Sequence, residues 1–262
     1  MNKRICVLGT GDRPASRQHV SAILGDWASE QFRVELLLPR LSVFPGNPEQ
    51  RALSELGYID AGLAAADSGA DALFINTVGD YGLYPLRGLV DIPVIGAGES
   101  SYLAACALAP RFAVVTIWPP KLRFLHDDAL KRYQMTERCA GIFHVSSDPE
   151  MASTGDPGFI EELRRCDLGL IERVVETCYA ALRNSGVSTL ILGCTCMSGI
   201  RDRLARDIPT TILDPMRVGY QYTEFALRSG ARHLRDTYRD HAPSREELEL
   251  GVNRAIEQSR PG

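Results

Sequence analysis

The chain has 262 residues, of which 45% are hydrophobic and 24% charged, the mixture of an ordinary globular protein. Its formal net charge is −4, and no block of basic residues predicts a nucleic-acid groove or a membrane-surface patch. The apolar run near the N-terminus is too short for a signal peptide, and no apolar run reaches the length of a bilayer span.

Apolar and β-branched runs alternate with amphipathic stretches along the whole chain. The runs predict strands at Arg4–Leu8, Arg33–Leu38, Ala72–Ile75, Val94–Ile95, Phe112–Thr116, Gly141–Val145, Leu190–Leu192 and Thr210–Leu213. The stretches between them predict helices at Arg17–Glu30, Pro48–Ser68, Ser100–Leu108, Lys121–Tyr133, Gly158–Asn184 and Arg217–Gly230. This alternation predicts an α/β fold with parallel sheets flanked by helices. Ser244 and Glu247 form a plausible capping box for one more helix.

An internal repeat organises the chain. Residues 71–77 (DALFINT) align with residues 188–194 (STLILGC), which places Gly82 on Gly199. Asp-Ile-Pro follows in both halves, at Asp91 and at Asp207, with a slip of one residue. The repeat predicts two pseudo-symmetric lobes, residues 1–98 with 214–262 and residues 99–213, and an active site in the cleft between them, because ligands of open α/β sheets bind at the carboxyl ends of the strands.

The repeat gives Cys194 and Thr77 equivalent positions. As a site residue, Cys194 would offer a thiol beside the backbone amides and hydroxyl of Thr195 and Cys196, which favours acid–base chemistry. As a structural residue, it would be a small buried hydrophobe at the end of a strand. Around Thr77, the polar groups of Asn76, Val78 and Gly79 would hold a carboxylate or a developing oxyanion, or would simply form a turn.

Two further segments offer binding groups. Thr116 ends the strand VVT in a setting similar to that of Thr77. After the first strand, GTGDRP lacks the third glycine of a dinucleotide fingerprint, but the amides near Thr10 and Gly11 precede a helix and would suit a small anion.

The cysteines predict neither a disulfide framework nor a metal site. They are seven in number, and most lie in apolar surroundings, which favours a reduced, cytoplasmic protein. Cys194 and Cys196 have no second cysteine pair to complete a zinc site, and the five histidines are not spaced as a ligand pair.

Several segments resemble the aspartate/glutamate/hydantoin racemase superfamily, and its hydantoin racemase branch most closely. LGCTCM is similar to the second cysteine motif of that family, and INTVGDYGLYPLRGLVDIPVIGAGESSYLAA to its first cysteine segment. RFAVVT is similar to its mid-chain strand and DIPTTILDPM to its closing segment, so the resemblance runs through about residues 4 to 228. It implies two pseudo-symmetric α/β lobes and an enzyme without metal or organic cofactor.

The resemblance also implies a mechanism. In family racemases two cysteines flank the α-carbon of the substrate; one removes the proton and the other returns a proton from the opposite face. Cys194 takes the second of these positions, whereas Thr77 stands at the first. A hydroxyl is a far poorer base than a thiolate, so this departure puts symmetric two-thiol racemisation in doubt.

Three interpretations remain open. The first is a racemase or epimerase of an amino-acid derivative or hydantoin-like substrate, with Cys194 and Thr77 as unequal partners. The second is a decarboxylase resembling the arylmalonate decarboxylases, with Cys194 as the sole proton donor. The third is a non-catalytic carboxylate-binding relative. All three imply a small-molecule ligand and no nucleic-acid or membrane partner, and a homo-oligomer stays open.

Overall fold

The computed structural model describes residues 2–9, 14–149, 168–241 and 243–259. The strands are β1 (Lys3–Leu8), β2 (Phe32–Leu37), β3 (Ala72–Ile75), β4 (Val94–Gly96), β5 (Phe112–Thr116), β6 (Cys139–His144), β7 (Thr189–Leu192) and β8 (Thr211–Leu213). The helices are α1 (Pro14–Trp27), α2 (Pro48–Asp67), α3 (Leu83–Leu89), α4 (Ala97–Leu108), α5 (Phe124–Arg132), α6 (Leu168–Ser185), α7 (Arg201–Asp207), α8 (Pro215–Ser229), α9 (Arg235–Tyr238) and α10 (Arg245–Ser259). Short 3₁₀ helices lie at Pro120–Leu122, Thr136–Arg138, Thr195–Ile200 and Arg239–His241.

The chain divides into two compact units. Unit 1 comprises Met1–Gly96 and Gly219–Gly262, and unit 2 comprises Ala97–Val218. Each contains one parallel sheet, with the order β2-β1-β3-β4 in unit 1 and β6-β5-β7-β8 in unit 2. The same strand order in both units agrees with the internal repeat and confirms the predicted α/β fold of two similar lobes.

The interior strands β3 and β7 form the centre of each sheet. Every residue of both strands is buried, because their side chains on either face meet helices rather than water. Strand β3 pairs with β1 and β4, and β7 pairs with β5 and β8. The repeat therefore places Thr77 and Cys194 at the same distance beyond the carboxyl end of a central strand.

The predicted elements correspond closely to the observed ones. All eight strands form where the sequence predicts them, with ends that differ by two residues or fewer. Of the predicted helix Gly158–Asn184, the part before residue 168 lies outside the described residues. The capping box is confirmed: the Glu247 amide donates to Ser244 Oγ (3.2 Å), and the Ser244 amide donates to Glu247 Oε2 (3.1 Å).

Three short helices, α3, α7 and α9, were not predicted. They contain four to seven residues, too few for a helical period to stand out in the sequence. In the described ranges, no helix is both long enough and apolar enough to cross a membrane.

Candidate active site

In unit 2, polar side chains follow all four strands at one edge of the sheet. Because the strands are parallel, their carboxyl ends share this edge, where ligands of open α/β sheets bind. Thr116 ends β5, Cys194 lies two residues beyond β7, Asp214 follows β8, and Ser146 lies two residues beyond β6. We call this row of four residues the unit 2 edge.

Gly193 allows β7 to lie close to β5 at this edge. The Gly193 amide donates to the Val115 carbonyl oxygen (2.7 Å). A Cβ at this position would lie 2.5 Å from Thr116 Cβ and 3.0 Å from Val114 Cγ1, so the site admits no larger residue without displacement of β5. The glycine thus lets the residue that precedes Cys194 pack against Thr116.

Cys194 begins a tight turn. Its backbone is extended (φ −149°, ψ 137°), the 3₁₀ helix Thr195–Ile200 follows, and the Cys196 amide donates to Cys194 Sγ (3.2 Å). Both cysteines are half-buried.

The structure joins Cys194 and Cys196 in a disulfide, with their Cα atoms 5.2 Å apart. The sequence predicted a reduced protein without a disulfide framework, and this single local bond departs from the reduced state at one pair. The reason lies in the turn. Because extended Cys194 is followed by 3₁₀ backbone, the side chains of Cys194 and Cys196, which are separated by Thr195, lie on the same side of the turn. Periodicity and composition carry no signal for that local geometry.

Asp214 anchors this turn to the start of α8. The Ser198 hydroxyl donates to Asp214 Oδ1 (2.6 Å) and lies 2.8 Å from the Thr195 carbonyl oxygen. The same carboxylate oxygen accepts from the amides of Met216 (3.0 Å) and Arg217 (3.4 Å), as in a helix N-cap. Burial raises the pKa of Asp214, whereas these hydrogen bonds oppose the rise. One buried carboxylate thus holds both the cysteine turn and the helix.

The end of the unit 2 edge formed by β5 and β6 contains two histidines. Thr116 is fully buried, and its hydroxyl accepts from the Trp118 amide (3.3 Å), while His144 Nδ1 lies 2.8 Å from the Trp118 carbonyl oxygen. His126, from α5, is buried, and burial together with the nearby His144 lowers its pKa to about 4. His126 is therefore neutral at physiological pH.

Three buried polar atoms at this end have no hydrogen-bond partner in the part of the chain that the structure describes. They are Ser146 Oγ, His126 Nδ1 and His144 Nε2. Buried polar groups are seldom left without a partner unless water or a ligand supplies one. These three atoms are therefore candidate binding groups, and none of their residues was predicted from the sequence.

In unit 1, Thr77 follows the buried strand β3. Asn76 and Val78 are buried on either side of it, and the Asn76 amide donates to the Leu8 carbonyl oxygen (2.9 Å). Thr77 is only 7% exposed, and among the described residues its hydroxyl has no hydrogen-bond partner. A buried hydroxyl thus stands at the position in unit 1 that corresponds to Cys194 in unit 2.

The turn after Thr77 has a specific backbone. Asp80 and Gly82 have left-handed conformations (φ 49° and 75°), and the Asp80 amide donates to the Thr77 carbonyl oxygen (3.2 Å). A Cβ at Gly79 would lie 2.5 Å from a ring carbon of Tyr81, so the aromatic side chain covers this glycine. The turn fixes the position of Thr77 relative to β3.

The predicted site residues divide between the two units. Asn76, Thr77, Val78 and Gly79 lie together at the end of β3, and Thr116, Cys194, Thr195 and Cys196 lie together at the ends of β5 and β7. Thr10 and Gly11 lie outside the described residues. Among the residues described, no group of three His, Cys, Asp or Glu side chains is arranged to hold a metal ion.

Asp214 and Ser198 were likewise not predicted as site residues from the sequence. The signal was present: Asp214 follows the last predicted strand, and side chains that follow parallel strands face the ligand edge. Its role depends on Ser198, however, which lies 16 residues earlier in the chain.

Sequence comparison relates the chain to known proteins. A family model described as Asp/Glu/Hydantoin racemase matches residues 28–223. A hydantoin racemase from Pseudomonas sp. (strain NS671) is 28% identical over 180 residues, which are 69% of this chain and 68% of that protein.

Structural comparison gives similar folds. An allantoin racemase from Pseudomonas fluorescens superposes with a TM-score of 0.79 at 20% identity, over 92% of this chain and 97% of that chain. An allantoin racemase from Klebsiella pneumoniae gives 0.77 at 23% identity, over 89% and 91%. A variant of arylmalonate decarboxylase gives 0.60 at 12% identity, over 86% and 92%. At these identities the likeness is one of fold.

Proposed function

Because the chain belongs to the Asp/Glu/hydantoin racemase family, we propose that it is a cofactor-independent racemase or epimerase acting on an amino-acid derivative or a hydantoin-like substrate. The reaction moves a proton at a carbon next to a carbonyl or carboxylate. The observation that carries the proposal is the placement of Cys194 just beyond the central strand of unit 2, beside buried hydroxyl and amide groups. The similarity to a hydantoin racemase supports the substrate class.

Cys194, in its reduced form, is the proposed acid–base group. A thiolate is the basic form of cysteine, and a backbone amide directed at a thiolate stabilises its charge; in the disulfide form that the structure shows, the Cys196 amide donates to Cys194 Sγ (3.2 Å). Removal of the proton leaves a carbanion, whose charge is delocalised onto the neighbouring carbonyl oxygen. Transfer of a proton to the opposite face of the carbanion then inverts the centre.

Hydrogen-bond donors at the strand ends would stabilise that delocalised charge. Thr195 follows Cys194 in the chain, Thr116 packs against Gly193, and the Asn76 side chain and the Thr77 hydroxyl lie beyond β3. Such fixed donors favour an enolate over the neutral ground state, because the negative charge on its oxygen is larger. In this proposal, Gly79 and Val78 contribute backbone groups, as Thr10 and Gly11 do after β1.

Thr77 is the proposed partner of Cys194 on the second face of the substrate. Its hydroxyl is a poor base by itself, so proton transfer there would proceed through a water molecule held by the hydroxyl. The two directions of racemisation would then differ in rate. This inequality distinguishes the proposal from symmetric two-thiol racemisation.

A decarboxylase is the second candidate, and Thr77 is the observation that favours it. A substituted malonate would lose one carboxylate as CO₂, and Cys194 would protonate the resulting carbanion, so a single thiol would suffice. The fold shared with arylmalonate decarboxylase is compatible with this reaction. A non-catalytic binding protein would use the same polar groups without turnover.

Hydrogen–deuterium exchange separates these candidates. We expect the reduced protein, incubated in D₂O with one enantiomer of a 5-substituted hydantoin or N-acyl amino acid, to introduce deuterium at the chiral carbon and to lower the optical rotation. A decarboxylase would instead release CO₂ from a substituted malonate. Binding that stabilises the protein with neither result would support the non-catalytic alternative.

Replacement of the thiol tests the mechanism. Cys194→Ala should lower the exchange rate about a hundredfold or more, because it removes the acid–base group. Cys106→Ala is the matched control, since Cys106 is a half-buried cysteine on α4 whose sulfur contacts Met135 Sδ (3.4 Å). Exchange that survives Cys194→Ala at the wild-type rate would exclude the proposed mechanism.

A further inference from the structure

Cys194 and Cys196 differ from the other described cysteines in being paired with each other. Cys6 and Cys178 are buried, and burial raises their pKa to about 11 and about 12. Burial also raises the pKa of Cys139. Such thiols carry little thiolate at neutral pH and react slowly. Cys106 and Cys139 are half-buried, as Cys194 and Cys196 are, but neither is joined to another cysteine in the described part of the chain, whereas Cys194 and Cys196 are paired at the end of a strand.

The backbone holds the two sulfurs in a position to bond. The Cα atoms of Cys194 and Cys196 lie 5.2 Å apart, within the range that disulfides span. The Met197 amide donates to the Cys194 carbonyl oxygen (3.1 Å), and Ser198 ties the turn to the buried carboxylate of Asp214 (2.6 Å). After the pair the turn is anchored by Ser198, and before the pair by the Gly193 amide, which donates to the Val115 carbonyl oxygen (2.7 Å). With the bond formed, β7 keeps its pairing with β5 and β8.

We infer that Cys194 and Cys196 form a reversible dithiol–disulfide site that reacts with low-molecular-weight disulfides and that switches the proton-transfer chemistry off when oxidised. This inference deepens the proposed function and rests on it for the effect on activity. Cys194 is the acid–base group in that proposal, and a sulfur bound in a disulfide has no proton to give and no charge with which to accept one. Cys196 then acts as the resolving thiol.

The oxidation proceeds in two thiol–disulfide exchanges. In the first, the Cys194 thiolate attacks one sulfur of a disulfide RS–SR; a Cys194–SR bond forms, the S–S bond of the reagent breaks, and RS⁻ leaves and takes up a proton. In the second, the Cys196 thiolate attacks Cys194 Sγ and expels the second RS⁻. The protein loses two electrons and two protons, and RS–SR becomes two RSH. An excess of dithiol reverses both steps.

Peptide mapping tests the site independently of catalysis. Fully reduced protein is treated with glutathione disulfide, the remaining thiols are alkylated, and the peptides are identified by mass spectrometry. We expect the peptide containing Cys194 and Cys196 to escape alkylation and to be lighter by two hydrogen atoms. In Cys196→Ser, one glutathione should remain on Cys194, because the resolving thiol is absent. Cys106→Ser, the matched control, should behave as the wild type does.

Three outcomes would overturn the inference. Wild-type Cys194 could keep its glutathione as stably as in Cys196→Ser, it could pair with a cysteine other than Cys196, or it could stay fully alkylated after the treatment. Mapping of all seven cysteines decides among these results, and it does so even if the protein shows no exchange activity with any substrate.

Activity measurements then test the switch. The oxidised wild type should lose deuterium exchange about a hundredfold or more, to the level of Cys194→Ala, and dithiothreitol should restore it. Full activity of the protein whose pair is mapped as oxidised would overturn the switch while leaving the disulfide site in place. Absence of activity in the reduced protein would instead contradict the proposed function.

Discussion

At the scale of single residues, small changes of side chain decide what each half of the repeat can do. Thr77 and Cys194 occupy equivalent positions, yet a buried hydroxyl at one and a half-buried sulfur at the other have very different acidities. Gly193 shows the same sensitivity in packing, since a Cβ there would lie 2.5 Å from Thr116. The sequence predicted Cys194, Thr77 and Thr116 as site residues, and their roles remain predictions.

His126 makes the stability of the folded chain depend on pH. Its pKa is lowered from an ordinary value near 6.5 to about 4, because burial and His144 disfavour the charged ring, while Asp127 acts weakly in the opposite sense and Arg123 in the same sense. Well above pH 6.5 the ring is neutral in both the folded and the unfolded state. Between 6.5 and 4 the unfolded chain binds a proton that the folded chain does not, so stability falls as the pH falls.

We expect this residue to account for a loss of up to about 3 kcal/mol in the free energy of unfolding between pH 7 and pH 4, from about 1.4 kcal/mol for each unit of pKa difference. Urea unfolding of the wild type and of His126→Leu at both pH values measures it. The variant should lose less stability on acidification, since all other groups, His233 included, are common to both proteins. Equal losses would contradict the assignment of the neutral ring.

At the scale of elements, local signals predicted the strands better than the short helices. Strands β3 and β7 are continuous apolar runs, which is the pattern of a strand buried on both faces. Helix α3 (LYPLRGL) is too short for a period and contains a proline near its start, so it resembles a loop in sequence. The turn after Cys194 was likewise not predicted, because its shape depends on Ser198 and on the distant Asp214.

Asp214 should contribute to stability through two elements at once. Asp214→Ala removes the N-cap of α8 and leaves the buried Ser198 hydroxyl without its carboxylate, which together should lower the free energy of unfolding by about 2–3 kcal/mol. Asp214→Asn keeps an acceptor and should cost less. Asp202→Ala is the matched control: that side chain is 71% exposed, and its ion pair with Arg201 should contribute less than about 1 kcal/mol.

Urea unfolding of the three variants measures these differences. The thiol reactivity of Cys194 and Cys196 in Asp214→Ala, relative to Asp202→Ala, reports whether the turn has loosened. Equal stability of Asp214→Ala and Asp202→Ala would show that the buried carboxylate does not anchor the turn.

At the scale of the whole molecule, the duplicated fold provides two equivalent strand ends, of which only one has a cysteine. The two sheets have the same strand order, so the equivalence of Thr77 and Cys194 is structural as well as sequential. The family model spans residues from both units. One thiol in a duplicated fold is the feature that separates the racemase proposal from the decarboxylase proposal.

Thr77→Cys tests this feature. The hydroxyl of Thr77 has no partner among the described residues, so its replacement by a thiol should disturb the fold little. For an unequal racemase, we expect the racemisation rate to rise roughly tenfold or more, because a thiol is a far better acid–base group than an alcohol. Chiral chromatography with D₂O exchange measures the rate, with Thr77→Ser as the control that keeps the hydroxyl. A variant that gains nothing would argue against a proton-transfer role for this position.

The sequence by itself determined the fold class, the eight strands and the repeat, because buried strands and capped helices are encoded by residues close together in the chain. It also determined that Cys194 and Thr77 are equivalent and that only one of them is a thiol. Only the tertiary structure decided that Cys196 lies in bonding position to Cys194, that Asp214 anchors their turn, and that Ser146 and His126 keep buried polar atoms at the same edge. These three features depend on contacts between residues that are distant in the chain or on the exact path of a turn. Such contacts and turns leave no periodic pattern in the sequence.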